Sequence, residues 1–359
     1  MEHTISITKQ AERKVTDTKS IPFGKIPTEH MFVATYKDGE WHDARVEPFH
    51  DLTLSPLALC LHYGQTVFEG MKAFAMQDGR INIFRIDKHY ERFTKSLHRM
   101  CMPHVPKKLF TDAIGQLVKL DADWVPRDDD GALYIRPFMI ATEDRIGVKV
   151  AEEYLFMVVC SPAFQYYTKP LKVKVETTYV RAANGGTGTA KCGGNYGGAF
   201  YPTQLAREAG YDQVLWTDSI HHEFIEESGT MNAMFYLDNV LVTPQLSGTI
   251  LDGVTRDTLL ALAREKGIAV EERHISYHEL VQAFEEGKRV EAFGAGTAAV
   301  VAPIEIIAIG HKEYKCYIEP DAMMYQLQNE LYNIRKGIVP DINNWNHAIP
   351  LTPKGEPSI

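Results

Sequence analysis

Long apolar runs are missing from this sequence: no stretch approaches the roughly 20 residues that a membrane-crossing helix needs. Residues 1–19 are polar and mixed in charge, without the apolar core of a secretory leader. Cysteine is scarce. Cys60, Cys101, Cys160, Cys192 and Cys316 are odd in number and widely separated, and no CxxC pair occurs. That pattern gives no disulfide framework, leads us to expect no metal site, and reads as reduced thiols in a cytoplasmic protein. Positive charge is also in deficit, with 38 Lys and Arg against 47 Asp and Glu and a net charge of -9. Phosphate backbones and anionic membrane surfaces would be repelled, so neither nucleic acid nor a membrane is an expected partner. Internal repeats and low-complexity tracts are absent.

What is present suffices for two domains of ordinary size: 359 residues, 45% of them hydrophobic and 24% charged. Asp38-Gly39, between 31–36 and 40–46, and Asp78-Gly79, between 71–76 and 80–84, are turn pairs that favour a tight hairpin. A helix is expected over 87–100, with Asp87 as its cap, and another over 107–120. Strands follow at 133–140 and 154–160. Residues 161–170 hold Pro162 and Pro170 with no clear period, and read as an interdomain linker. This divides the chain into a smaller α/β domain, 1–160, and a larger domain, 171–359. The second half shows a strand at 171–178, a glycine-rich stretch at 185–198 leading into a helix, short strands near 214–216, 224–225 and 234–236, and helices at 255–266, 277–286 and 323–336. Strand runs mixed with helix runs give an α+β, or mixed α/β, class.

Lys191 is the first chemical candidate. It lies among glycines that allow close backbone approach to a bulky partner, and a lysine becomes a nucleophile once burial or a nearby cation removes its proton. Glu227 is the second. An acid can hold a proton on a pyridine nitrogen, and strand alternation lets one of the adjacent Glu226 and Glu227 face inward. Residues 252–257 precede an apolar-periodic helix whose first N–H groups could bind an anion. Residues 294–298 form a small-residue turn with similar capacity. Arg92 could add a counter-charge to a phosphate. Phe23, Tyr63, Phe68, Tyr134, Tyr166 and Tyr196 could wall an apolar pocket. Taken one at a time, each of these features is ordinary: a solvated side chain, a core aromatic or a plain turn.

Their order along the chain is not ordinary. Lys191 is followed by Gly193, Gly194, Asn195, Tyr196 and Gly197. Next come Glu227 with Gly229, Thr230, Met231 and Asn232; then Gly253, Val254, Thr255 and Arg256; then residues 293–298. Residues 63–73 and 133–137 complete the set. The series resembles the branched-chain aminotransferases, pyridoxal-phosphate (PLP) enzymes of fold type IV, over about residues 23–338. The resemblance implies that Lys191 holds PLP covalently and then shuttles the proton. It implies that Tyr196 bonds the cofactor's phenolic oxygen and that Glu227 keeps the ring nitrogen protonated. Arg92, Val254, Thr255 and Thr297 would hold the phosphate. Thr297 and Ala298 would offer N–H groups to the substrate carboxylate. Phe23, Tyr63, Phe68, Tyr134 and Tyr166 would line the side-chain pocket, and Arg136 would meet the distal carboxylate of glutamate. Some relatives carry a CxxC after the Gly-Thr-Ala turn. Here the segment is Ala299, Val300, Val301 and Ala302, which excludes a thiol switch at that place.

The implied reaction passes the amino group of leucine, isoleucine or valine to 2-oxoglutarate, in a chain acting as a homodimer on small amino and 2-oxo acids. Two enzymes of the same fold, D-amino-acid aminotransferase and aminodeoxychorismate lyase, are the alternatives, since the context of Lys191 fits them less well. A non-catalytic PLP-binding protein is the alternative of another class.

Overall fold

A computed structural model describes residues 4–9, 22–127, 131–164 and 167–350. In chain order its elements are β1 (Ser6–Ile7), β2 (His30–Lys37), β3 (Glu40–Pro48), α1 (Leu59–Tyr63), β4 (Thr66–Phe68), β5 (Met71–Ala75), β6 (Ile81–Phe84), α2 (Ile86–Arg99), α3 (Lys107–Leu120), β7 (Ala132–Ala141) and β8 (Tyr154–Ala163). There follow β9 (Leu171–Glu176), α4 (Gly194–Glu208), β10 (Gln213–Thr217), β11 (Ile225–Ser228), β12 (Met231–Leu237), β13 (Val240–Thr243), α5 (Val254–Glu265), β14 (Ala269–Glu272), α6 (Tyr277–Glu285), β15 (Val290–Gly296), β16 (Val300–Ile309), β17 (Lys312–Lys315), α7 (Met323–Arg335) and β18 (Asn346–Ile349). The class is α+β, with parallel and antiparallel pairs in both sheets.

The described residues form two compact units, Met1–Tyr166 with Asn333–Ile359, and Tyr167–Tyr332. The first break lies within the segment 161–170. The second requires a correction. Sequence reading assigns everything after 170 to the larger domain, whereas residues beyond Tyr332 return to the first unit. There β18 pairs antiparallel with β6, from Asn346 opposite Phe84 to Ile349 opposite Ile81. Asn82 locks the return: its amide donates to the Arg335 carbonyl at 3.0 Å and to Asn346 Oδ1 at 2.6 Å, and its Oδ1 accepts the His347 N–H at 3.0 Å. A four-residue strand held by asparagines shows no apolar alternation, so the pattern rule passes over it.

In the first unit the sheet runs β1-β3-β2-β8-β7-β5-β6-β18, with β4 on β7. Asp38 and Gly39 turn the β2–β3 hairpin at φ 54° and 83°, the left-handed pair that such a tight turn demands. Strand alternation splits β2 between two cores. Met31 and Val33 pack with Met157 on one face. Phe32 lies on the other, 5.6 Å from Phe156, and Phe93 of α2 and Phe110 of α3 close over Phe156. Helix α2 begins at Ile86 with Arg85 as its cap, two residues earlier than Asp87 as cap would place it. Asp87 sits instead in the first turn, where a negative charge favours the helix dipole, and pairs with Lys107 at 2.6 Å.

In the second unit the order is β11-β10-β9-β16-β15-β12-β13-β14, and β11 also pairs with β12. Six strands therefore close into a circuit that leaves no free edge among them. Leu171, Val173, Leu215, Phe235, Ile304 and Ile307 belong to its buried core. Helix α4 opens with glycines and contains Pro202, so its own propensity is poor. Packing compensates: Ala206 is buried with Val214 and Trp216 of β10.

Candidate active site

Lys191 stands between β9 and α4, on a loop fastened from both directions. The Asn195 amide donates to the carbonyls of Thr187 and Ala190, both at 2.8 Å, and the Thr187 hydroxyl donates to Asn195 Oδ1 at 2.6 Å. Next to the half-buried Lys191, the Cys192 side chain is buried. The Lys191 amine donates to the Tyr196 phenolic oxygen at 3.2 Å. Tyr196 lies in the first turn of α4, so the same Asn195 that ties the loop also sets this pair.

Alternation suggests that one of Glu226 and Glu227 faces inward, but the structure buries both, at 7% and 3% exposure. Each carboxylate has its own partners. Glu226 accepts from the Thr249 hydroxyl, while its Oε2 has no hydrogen-bond partner among the described residues. Burial pushes the Glu226 carboxyl above its usual range, with Thr249 and Arg181 opposing. Glu227 Oε1 accepts the Leu251 N–H at 2.8 Å, and its Oε2 lies 3.1 Å from Arg181 Nε. Arg181 also donates to the carbonyls of Gly188, at 3.2 Å, and Thr249. One guanidinium thus joins the Lys191 loop, β11 and the segment leading to α5.

Helix α5 starts after Gly253, which supplies no capping side chain. A Cβ at Gly253 would overlap the Asn232 amide oxygen. Asn232 in turn donates to the Leu251 carbonyl at 2.9 Å, holding the approach to the helix. The first-turn N–H groups, at Val254 and Thr255, are of the kind that binds a phosphate. Thr297 and Ala298 occupy the turn after β15, both half-buried. That turn ends at Val300 with φ 66°, a left-handed conformation that is strained for a β-branched residue.

The remaining candidates lie in the first unit. The Arg136 guanidinium sits 4.7 Å from the Phe68 ring centroid and 5.2 Å from that of Tyr134, and donates to the Tyr134 hydroxyl at 2.9 Å. Phe23 meets Tyr134 edge-on at 4.9 Å. Tyr63 has other surroundings: it is 44% exposed, and its hydroxyl donates to the Ile146 carbonyl. Tyr166 lies outside the described residues. Arg92 is buried and clasps Glu69, with Nε at 2.7 Å and a terminal nitrogen at 2.9 Å from its two oxygens. His89 adds a contact to Glu69 at 2.8 Å. Burial pushes the Glu69 carboxyl up, but Arg92 and His89 outweigh it and hold it well below the usual carboxylate range.

Sequence reasoning missed Arg181, Glu69 and His89 as parts of these networks. Glu69 offered a signal, being an acid between Phe68 and Gly70 in an apolar run. Arg181 offered none, since Glu227 and Thr249 are far away in sequence. An amine beside a phenol, a buried acid backed by an arginine, and an uncapped helix N-terminus form a donor set that fits PLP.

Residues 66–307 match the family model for class IV aminotransferases. Over 338 residues the chain is 44% identical to branched-chain-amino-acid transaminase 1 of Bacillus subtilis, covering 92% of this chain and 94% of that one. It is 41% identical over 333 residues to the branched-chain-amino-acid aminotransferase of Mycobacterium tuberculosis, covering 90% of each. Among solved structures, the branched-chain aminotransferase of Escherichia coli matches with a TM-score of 0.73 at 23% identity, over 89% of this chain and 98% of that one. That of Thermobaculum terrenum, in its PLP-bound form, matches at 0.74 and 22% identity, over 90% and 100%. The solved structures share the fold; together with the family model and the curated relatives, they mark this chain as a member of the class IV aminotransferase family.

Proposed function

We propose that this enzyme is a branched-chain-amino-acid transaminase that uses PLP to pass amino groups from leucine, isoleucine and valine to 2-oxoglutarate. The observation that carries the reading is the Lys191 amine set 3.2 Å from the Tyr196 phenol. The buried Glu227 and the names of relatives above 40% identity support it. When bound, PLP supplies a protonated ring that draws electrons from the substrate Cα.

The chain's own residues do the rest. Lys191 would hold the cofactor and, as general base and acid, would move the substrate Cα proton. Tyr196 orients the cofactor's phenolic oxygen. Glu227 keeps the ring nitrogen protonated. Arg92, the N–H groups of Val254 and Thr255, and Thr297 hold the phosphate. Thr297 and Ala298 receive the substrate carboxylate. Phe23, Phe68 and Tyr134 line an apolar pocket. Burial there contributes ~0.8 kcal/mol per CH₂, too little to separate leucine, isoleucine and valine sharply. Arg136 meets the distal carboxylate of glutamate, which explains how a pocket with aromatic walls also serves an acidic substrate.

The enzyme works as a homodimer in the cytoplasm. Exposed Leu61, Ile146 and Val148, on segments joined by the Tyr63–Ile146 bond, support a second copy covering this surface. The unpaired cysteines support a reducing compartment.

An absorbance spectrum of the purified protein, then a leucine/2-oxoglutarate assay of wild type and Lys191→Ala, tests the proposal. Wild type should show bound cofactor and turnover, and the variant should keep its fold with little or no activity. Activity on D-alanine, or pyruvate release from aminodeoxychorismate, without activity on leucine would overturn the substrate assignment. Cofactor absorbance with no transamination at all would favour a binding protein.

A further inference from the structure

Two carboxylates adjacent in sequence, both almost fully buried, cannot both stay charged without compensation, because desolvation and mutual repulsion each favour a proton. Among the described residues, Glu226 has only a hydroxyl as hydrogen-bond donor. Glu227 has a backbone N–H and the guanidinium of Arg181, which is itself 9% exposed. The negative charge of the pair therefore belongs on Glu227. The Arg181 Nε contact is an ion pair rather than an aligned hydrogen bond, since Nε has no hydrogen-bond partner among the described residues. A terminal nitrogen of the same group bonds Gly188 and Thr249, which fixes where the charge sits. A Cβ at Gly188 would overlap the Thr249 backbone, so the two strands of chain held by Arg181 are in close contact.

We propose that Arg181 is a positioning residue for the reaction: it keeps Glu227 ionised and aimed, so that Glu227 can hold a proton on the cofactor's ring nitrogen, and it ties that carboxylate to the loop carrying Lys191. The assignment rests on Glu227 serving the ring nitrogen. Without the guanidinium the cation 3.1 Å from its Oε2 is gone, Glu227 takes up a proton, and a neutral acid no longer secures the charge on the ring. Lysine at 181 preserves the charge but lacks the planar fork that spans two carbonyls and a carboxylate, so it should rescue in part.

The test uses holoenzyme loaded with PLP carrying ¹⁵N in its ring, comparing wild type, Arg181→Gln, Arg181→Lys and Glu227→Gln. The readout is the ring-nitrogen chemical shift, alongside kcat and KM for leucine. Wild type should show the shift of a protonated ring nitrogen. Glu227→Gln and Arg181→Gln should both move it toward the unprotonated value, with Arg181→Lys between them. For Arg181→Gln, kcat should fall by about 10–100-fold, the range for loss of an outer-shell partner, with KM for leucine little changed. A shift that moves in Glu227→Gln but stays at the wild-type value in Arg181→Gln overturns the role of Arg181 and leaves that of Glu227 intact. A shift that moves in neither overturns the role of Glu227, and with it this one. If Arg181→Gln does not fold, Arg181→Lys decides: an intermediate shift supports the proposal, and a wild-type shift with wild-type kcat overturns it.

Discussion

A glycine decides how Tyr134 and Arg136 meet. A Cβ at Gly70 would overlap the Tyr134 hydroxyl, which accepts from Arg136 at 2.9 Å. Gly70→Ala must push the Tyr134 ring and break that bond. If Arg136 receives the distal carboxylate of glutamate, its misplacement removes a charged hydrogen bond worth about 1.5–3 kcal/mol, or roughly tenfold or more in affinity. Steady-state kinetics should show KM for glutamate rising by about that factor and KM for leucine rising far less. Equal increases for the two substrates would remove Arg136 from this role. The motif around Gly70 was legible in sequence, but the reason for its glycine was not, because the clashing ring lies on β7, far away in sequence.

At the scale of elements, helix α2 is tied to the segment between β4 and β5 by a buried charge network. Glu69, with no exposure, accepts from Arg92, His89 and the Gly70 N–H. Glu69→Gln takes the carboxylate away from the buried Arg92, a change that typically costs 3–5 kcal/mol. The sign of the pH dependence follows from the depressed Glu69 carboxyl. Its stabilisation is complete above the unfolded value of about 4.3 and is lost as pH falls through the lower folded value. Urea titrations from pH 7 into acid should therefore show a wide gap between wild type and Glu69→Gln that narrows at low pH. A constant gap would mean that the loss is packing rather than charge. Helix α2 itself was readable from sequence within two residues. Its buried acid was not, because isolated patterns report periodicity and not partners.

For the molecule as a whole, one buried amine sets part of the stability profile. Burial, with the charge of Arg335 adding to it, pushes the Lys72 ammonium down to about 7. An unfolded lysine titrates near 10.4, so between about pH 7 and 10 the unfolded chain binds more protons than the folded one. Stability should rise with pH across that window, and the penalty should be complete below it. Lys72→Met should be more stable than wild type at pH 6 and should flatten the rise, as measured by denaturant unfolding at a series of pH values. A rise that persists in the variant would assign it to other groups. The return of the chain to β18 is a second global feature. Asn82→Ala removes three bonds to residues after 334, one of them to the buried Arg335 carbonyl, and should cost about 1–3 kcal/mol.

The sequence by itself determined the α+β class, the tight turn at Asp38-Gly39, most helix spans and the ordered motifs that place Lys191, Tyr196 and Glu227 in a class IV aminotransferase. These are local properties: periodicity, turn residues and short strings whose chemistry travels with them. Only the tertiary structure decided that Glu226 is buried as deeply as Glu227, that Arg181 stands behind that pair, that Glu69 neutralises Arg92, and that the last strand joins the first unit. Each of these depends on which distant segments exclude water together, and a buried charge reveals its partner only when the backbone has brought it within reach.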